Sequence, residues 1–317
     1  YTFLKYSDKG FEYGLPGSEI YRNDWVWFPL LVFGWLPILY FSRVTSIPEY
    51  FGRRFDSRIR LWATLFVLMY LVGYVGVNLF TMGRVLNALV GWQVPVAAGI
   101  VAVISCTYVT AGGQTSVVMT DLLQGVMLLA TGAAILILGM DYVGGFEAFW
   151  TNLPRPARLA FSNFNETSDF PSVGIFWQDA IGNTAMFYFL NQGIIMRFLA
   201  AKSVNESRKA ALALVVVLMT LGACVVGCGG WVARVLVHSG HLPADIPSNQ
   251  AFYIATEFLS RPGMFGLILA ALTAALMSTV DTLITAVSAV VVNDLYQPYV
   301  RPAATDRPLL RVARVTA

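Results

Sequence analysis

The sequence predicts an all-α membrane protein, and three observations predict it. Only 12% of the 317 residues are charged and 57% are hydrophobic, whereas a soluble globular chain is about 25% charged. The apolar residues run unbroken for about 17–25 positions at a time, the length a helix needs to cross a bilayer. These runs are rich in Leu, Ala and Gly and do not alternate, which argues against strands of a barrel. A net charge of +3, from 21 basic and 18 acidic residues, leaves no basic block for nucleic acid. Soluble enzymes and disordered regulators are excluded on the same composition. Membrane lipid is the expected surrounding, and a nucleic-acid partner is not.

Seven transmembrane helices follow in order. The first, near 25–42, runs from Asp24 to Arg43, and the second, near 61–83, from Arg60 to Arg84. The third, near 93–110, ends at an uncharged turn, 111–120, that carries Gly112 and Gly113. The fourth, near 121–142, opens on Asp121, a carboxylate that a helix start favours. The fifth, near 173–196, is interrupted by Asp179, Asn183, Thr184, Asn191 and Gln192, with Gly182 and Gly193 close by. Interrupted spans of this kind mark broken helices whose freed backbone groups bind substrate or ion; a kinked structural helix is the alternative. The sixth, near 210–237, follows Lys209. The seventh, near 263–292, is long enough to cross with tilt.

Basic residues orient these spans. Thirteen Lys and Arg fall in the loops 43–60 and 197–209 and in the tail, against eight on the other side. The positive-inside rule then puts residues 1–24 and the long segment 143–172 outside, and 298–317 in the cytoplasm as a linker or tail. Seven helices with an outside N-terminus also describe a receptor, so that alternative stays open here.

Polar groups inside a span are costly unless they face a partner or a cavity. In the seventh span Ser278, Asp281, Thr282, Thr285 and Ser288 fall within an arc of about 120°. Such a stripe is either glue between helices or the wall of an ion pathway, and the carboxylate among hydroxyls favours a cation site. Asp121 and Gln124 lie toward the same side and can serve that pathway. Phe187, Tyr188 and Phe189 of the fifth span can line or gate it. Cys224 and Cys228 share a helix face, which suits close helix packing better than a metal pair. No nucleophile–His arrangement, phosphate-binding Gly loop or His/Cys cluster is present, so catalysis has no candidate residues.

Four blocks resemble the sodium:solute symporter family, which includes sodium/glucose, sodium/proline and sodium/myo-inositol cotransporters. They are SIPEYFGRRFDSRIR (46–60), YVTAGGQTS (108–116), NQGIIMRFLAAKSVNESRKA (191–210) and GLILAALTAALMSTVDTLITAVSAVVVNDLY (266–296). Gln114 and Met196 stand where an apolar residue and Gln are usual in the family. The resemblance implies a core of two inverted five-helix repeats, with the seven spans as core helices two to eight of residues 25–297. The first core helix would then precede Tyr1 and the last two would follow Ala317, which suggests a fragment. It also answers the receptor question in favour of transport.

The resemblance further implies a sodium site from the Ala275 carbonyl and the Ser278 and Thr279 hydroxyls. Asp121, Asp281 and Thr282 match a second sodium site of some members, with Asp281 replacing a hydroxyl, or else a proton path. Sodium is the implied coupling ion, not a tightly held cofactor. Substrate positions of sugar-transporting members fall on Thr184, Phe187 and Tyr188, with Asn183 one step away and Asn23 a loose match for a Glu. Their Lys on core helix seven has no counterpart. The expected function is sodium-coupled symport of a small polar solute (sugar, polyol, amino acid or carboxylate) by alternating access. A proton-coupled permease and a sensor built on the same core are the alternatives.

Overall fold

Helices build the chain, and among the described residues no strand forms. The computed structural model describes residues 2–158, 172–261 and 263–316. Of the expected outer segment, residues 159–171 therefore lie outside the described ones. The helices that position the site are α1 (Thr2–Tyr13), α2 (Ile47–Arg54), α3 (Ser57–Val90), α4 (Val94–Tyr142), α5 (Gln192–Leu199), α6 (Thr220–His238), α7 (Ser248–Leu259), α8 (Met264–Val290) and α9 (Asp306–Thr316). Shorter helical turns fill much of the chain between them.

Among the described residues five helical stretches are long and apolar enough to cross a membrane: Leu15–Ser42, Ser57–Asn87, Val94–Tyr142, Val204–His238 and Met264–Val300. Two of the expected spans are joined in the third. Gly113 breaks α4 with φ 64°, a left-handed value that glycine adopts without a Cβ clash. The Gly-Gly pair makes the whole turn, so the second helix begins at once rather than after 120. Asp121 consequently sits about two turns into that helix, not at its start, and the helix-start reading of this residue falls. The expected fifth span is not one apolar helix. It is assembled from Ser172–Ile175, a wide π turn at Phe176–Asn183, Thr184–Leu190 and α5. The tail also differs from an irregular linker, since α9 occupies most of it.

Local chemistry sets these boundaries. Ser46 caps α2 by accepting from the Glu49 N–H at 3.1 Å, with Pro48 in the first turn. Glu49 reaches back to accept from the Thr45 N–H at 2.8 Å and its hydroxyl at 2.9 Å, one residue before the cap. Asp56 caps α3 through the Ile59 N–H at 2.8 Å, and Gly91, at φ 76°, closes its other end. Asn191 stops the preceding helix in an extended conformation and caps α5 by accepting from Gly193 and Ile194 N–H groups.

The chain divides into two compact units. In one, residues 1–28, 124–185 and 212–272, α1, α6 and α7 pack around Phe149, Trp231, Leu236, Phe252, Ile268 and Leu272. The Arg234 guanidinium donates to the Phe11 and Glu12 carbonyls at the end of α1. The other unit, residues 29–123, 186–211 and 273–317, holds two cores on α8. Leu71 and Val67 of α3 meet Leu283, Ala286 and Val290, while Val109 and Val117 of α4 meet Val280 and Ile284. Elsewhere α3 exposes Trp62, Phe66, Met69, Val72, Val77 and Phe80. Six large apolar side chains on one helix surface suit hydrocarbon and not water.

Candidate functional site

The polar stripe of α8 resolves into two kinds of group. Ser278 donates to the Ala275 carbonyl at 3.1 Å, Thr282 to the Ser278 carbonyl at 2.8 Å, and Thr285 to the Asp281 and Thr282 carbonyls. Hydroxyls that bond their own helix are the ordinary state of Ser and Thr in a span. The Ala275 oxygen and the Ser278 hydroxyl are thereby held side by side, with Thr279 the next residue along the helix. Asp281 is of the other kind. Its side chain is fully buried, and neither carboxyl oxygen has a hydrogen-bond partner among the described residues. Ser105 of α4, also fully buried, faces it, and its hydroxyl is the polar group that acts on the carboxylate. A buried polar group without a partner costs about 1–3 kcal/mol, and more when charged. A carboxylate so placed in a span is a candidate ion or proton site.

Of the three residues expected at a second cation site, the structure brings Asp121 and Thr282 to one guanidinium and Asp281 to Ser105. Arg197, at the end of α5, donates to both the Asp121 carboxylate and the Thr282 hydroxyl. These two share a guanidinium, while Asp281 points to Ser105. Gly193 permits the approach, because a Cβ there would lie 2.7 Å from Thr282 Cγ2 and 3.5 Å from its carbonyl oxygen. Arg197 was absent from the expected site residues. Its partners lie 76 and 85 positions away, and no local pattern announces them.

The expected substrate residues fall in both units. Asn23, Asn183 and Thr184 belong to the first, together with Asp24, Asp179 and Trp27. Thr184 donates to Asp24 at 3.2 Å and Asn183 to Asp179 at 2.9 Å, and the Trp27 indole donates to the Ala180 carbonyl at 2.5 Å. Asn23 is buried, with its amide nitrogen uncommitted. Phe187 and Tyr188 belong to the second unit, where their rings meet edge to face 5.5 Å apart. Tyr188 is 1% exposed, so its ring acts as packing in this conformation.

A second buried cluster went unread in the sequence. Arg60 donates through Nε and Nη2 to Asp294 Oδ1 at 3.0 and 2.8 Å, and through Nη2 to the Asn293 carbonyl at 2.8 Å. The Ser46 hydroxyl joins the same carboxylate oxygen at 2.9 Å. Gln192 stitches the loop from another side, accepting from Ile47 N–H at 2.9 Å and donating to the Thr45 carbonyl at 3.0 Å. The loop 43–60 is thus tied to the root of α5 and to the end of the last span. Burial works to raise the Glu49 carboxyl, but the Thr45 N–H and hydroxyl and Arg53 outweigh it and hold it below the usual range. In the other unit burial, helped by Glu12 and opposed by Lys9, pushes the Asp8 carboxyl up to about 6.

Among the described residues no cluster of three His, Cys, Asp or Glu side chains forms a transition-metal site. The hydroxyl, carbonyl and carboxylate oxygens of α8 are instead the hard donors an alkali cation takes. A profile of the sodium:solute symporter family matches residues 2–317. The sodium-coupled monocarboxylate transporter 1 of Homo sapiens is 29% identical over 282 residues, covering 84% of this chain and 44% of that protein. The sodium/glucose cotransporter of Vibrio parahaemolyticus is 26% identical over 341 residues, covering 99% and 62%. The chain thus spans about half the length of the curated relatives it matches. A solved Na+-coupled sialic acid symporter, in a substrate-bound outward-open state, superposes with TM-score 0.84 at 20% identity, covering 99% of this chain and 66% of that one. The shared fold is an all-α, multi-pass membrane transporter fold.

Proposed function

Because the chain belongs to the sodium:solute symporter family, we propose that it carries the ion-coupling helices of a sodium-driven symporter for a small polar solute. One observation supports this above the others. A fully buried Asp281, faced by the Ser105 hydroxyl, stands about one turn from Ser278 and under two turns from the Ala275 carbonyl on a single apolar helix. Sodium is held by those two oxygens and the Thr279 hydroxyl, with the N-terminus of the chain outside and α9 in the cytoplasm. Moving one charge through 100 mV is worth about 2.3 kcal/mol, so each coupled ion supports roughly a 50-fold solute gradient before its own concentration gradient is counted.

Arg197 supplies the control of a second cation. The guanidinium on the Asp121 and Thr282 oxygens repels a second cation there, so an ion binds more tightly when it leaves. At about 4 Å and an effective dielectric near 20, two unit charges repel by about 4 kcal/mol, and the partial exposure of Arg197 reduces that. Arg197→Gln keeps the hydrogen-bonding length and removes the charge. It is expected to lower the half-saturating sodium concentration about tenfold in uptake or binding assays. An unchanged sodium curve would mean that Asp121 and Thr282 hold no cation.

The solute remains a small polar molecule. Relatives are transporters of glucose, monocarboxylate and iodide by their names, and sugars, polyols, amino acids and carboxylates are the classes to screen, with Asn23, Asn183 and Thr184 of one unit as substrate residues and Phe187 and Tyr188 of the other tested separately as gate residues. The test compares thermal stabilisation and uptake in sodium chloride with choline chloride across that panel. Stabilisation specific to sodium, with one solute class adding to it only in sodium, is the expected result. Uptake that follows pH and ignores sodium would replace this reading with a proton-coupled one centred on Asp281.

A further inference from the structure

Five residues after the last span ends at Val300, α9 begins, and its sequence DRPLLRVARVT divides sharply around the helix. At 100° per residue Arg307, Arg311 and Arg314 fall within an arc of about 60°. Leu309, Val312 and Ala313 lie on the opposite side and are the partly covered positions, so the helix turns its apolar face to its own unit. The arginine stripe stays exposed, flanked by Leu310 at 53% and Val315 at 86% exposure, with Leu310 and Arg314 also bordering a cavity shared with the 109–114 turn and α8. None of the three guanidiniums makes a hydrogen bond or ion pair among the described residues. The surface continues around the root of the helix. Tyr299 donates to the Ser57 carbonyl at 3.3 Å, which brings the Arg54–Arg58 segment beside Arg301, and Tyr299 and Val300 are themselves exposed.

We propose that Arg307, Arg311 and Arg314 bind the phosphate-bearing headgroups of anionic lipids. The pattern answers to a lipid and not to a soluble anion. Free guanidiniums in a row match phosphates, and the exposed apolar residues beside them match the acyl boundary just below. A soluble phosphate would have no use for Leu310 and Val315. Five intervening residues extend less than about 18 Å, which leaves α9 within reach of the headgroups. The assignment rests on reading Met264–Val300 as a membrane span, and on no step of sodium coupling.

The test is lipid retention by the full chain purified in detergent, titrated with phosphatidylglycerol or phosphatidylcholine of identical acyl chains and read by native mass spectrometry. Preference for the anionic lipid is expected, with R307Q/R311Q/R314Q weakening it on the order of 100-fold, about fivefold per arginine near an anionic surface. L310S/V315S is expected to weaken it less, and millimolar inorganic phosphate to leave it bound. Equal retention by the triple variant, or complete displacement by phosphate, would overturn the assignment. On the unaltered chain, raising salt from 50 to 500 mM is expected to release the lipid, and retention through that range would overturn it independently. A chain that failed to couple sodium would still give these results, whereas one recovered without detergent would sink the span reading instead.

Discussion

Arg60→Ala is expected to destabilise the protein by about 3–5 kcal/mol, more than Asp294→Ala, although both remove the same ion pair. The reason is an asymmetry of burial. The Asp294 side chain is wholly inaccessible, whereas that of Arg60 is 22% exposed. Removing Arg60 strands a carboxylate with only the Ser46 hydroxyl for company, and a buried charge that loses its partner incurs a penalty of that size. Removing Asp294 leaves a long cation that can swing its head toward solvent or headgroups, so about half that loss is expected. The double variant should lose less than the sum of the two, because neither charge is then left alone. Thermal or denaturant unfolding of the purified chain measures all three. Equal losses from the two single changes would show that Arg60 cannot relax.

Ser278→Ala and Thr279→Ala are each expected to raise the half-saturating sodium concentration about tenfold or more, and the pair on the order of 100-fold. Each removes one neutral oxygen from the cation, and a hydrogen-bonding contact to a charged group is worth about 1.5–3 kcal/mol. Ser278→Thr retains the oxygen and should retain most of the affinity. Ser278 also bonds its own helix at the Ala275 carbonyl, so part of the effect could be structural. Melting without sodium separates the two, since the loss of one exchangeable backbone contact should cost no more than about 1 kcal/mol. Sodium dependence that survives the double change would move the ion elsewhere.

How much of this was legible in the sequence depends on the range of the interaction. The spans could be read because a bilayer imposes a length and a composition on every crossing helix. The Gly112-Gly113 turn and the interruption near Asn191 were also readable, since glycine and capping chemistry act within three or four residues. SIPEYFGRRFDSRIR, recognised only as a resemblance, has a physical role of its own. Ser46 and Glu49 cap α2, Asp56 caps α3, and Arg60 reaches Asp294. The last of these could not be foreseen, because 234 residues separate the partners and Asp294 reads locally as the end of an apolar run.

The sequence by itself determined the environment of this protein, its helices, where several of them start and break, and which span carries a stripe of hydroxyl and carboxylate oxygens. Composition, periodicity and capping are local properties, and each residue declares them without its distant neighbours. Only the tertiary structure decided which charges are matched. It placed Arg197 between Asp121 and Thr282, closed Arg60 on Asp294, left Asp281 facing Ser105 alone, and left three exposed arginines of α9 without an acidic partner. Those outcomes follow from packing between segments far apart in the chain, where burial decides whether a charge has a partner.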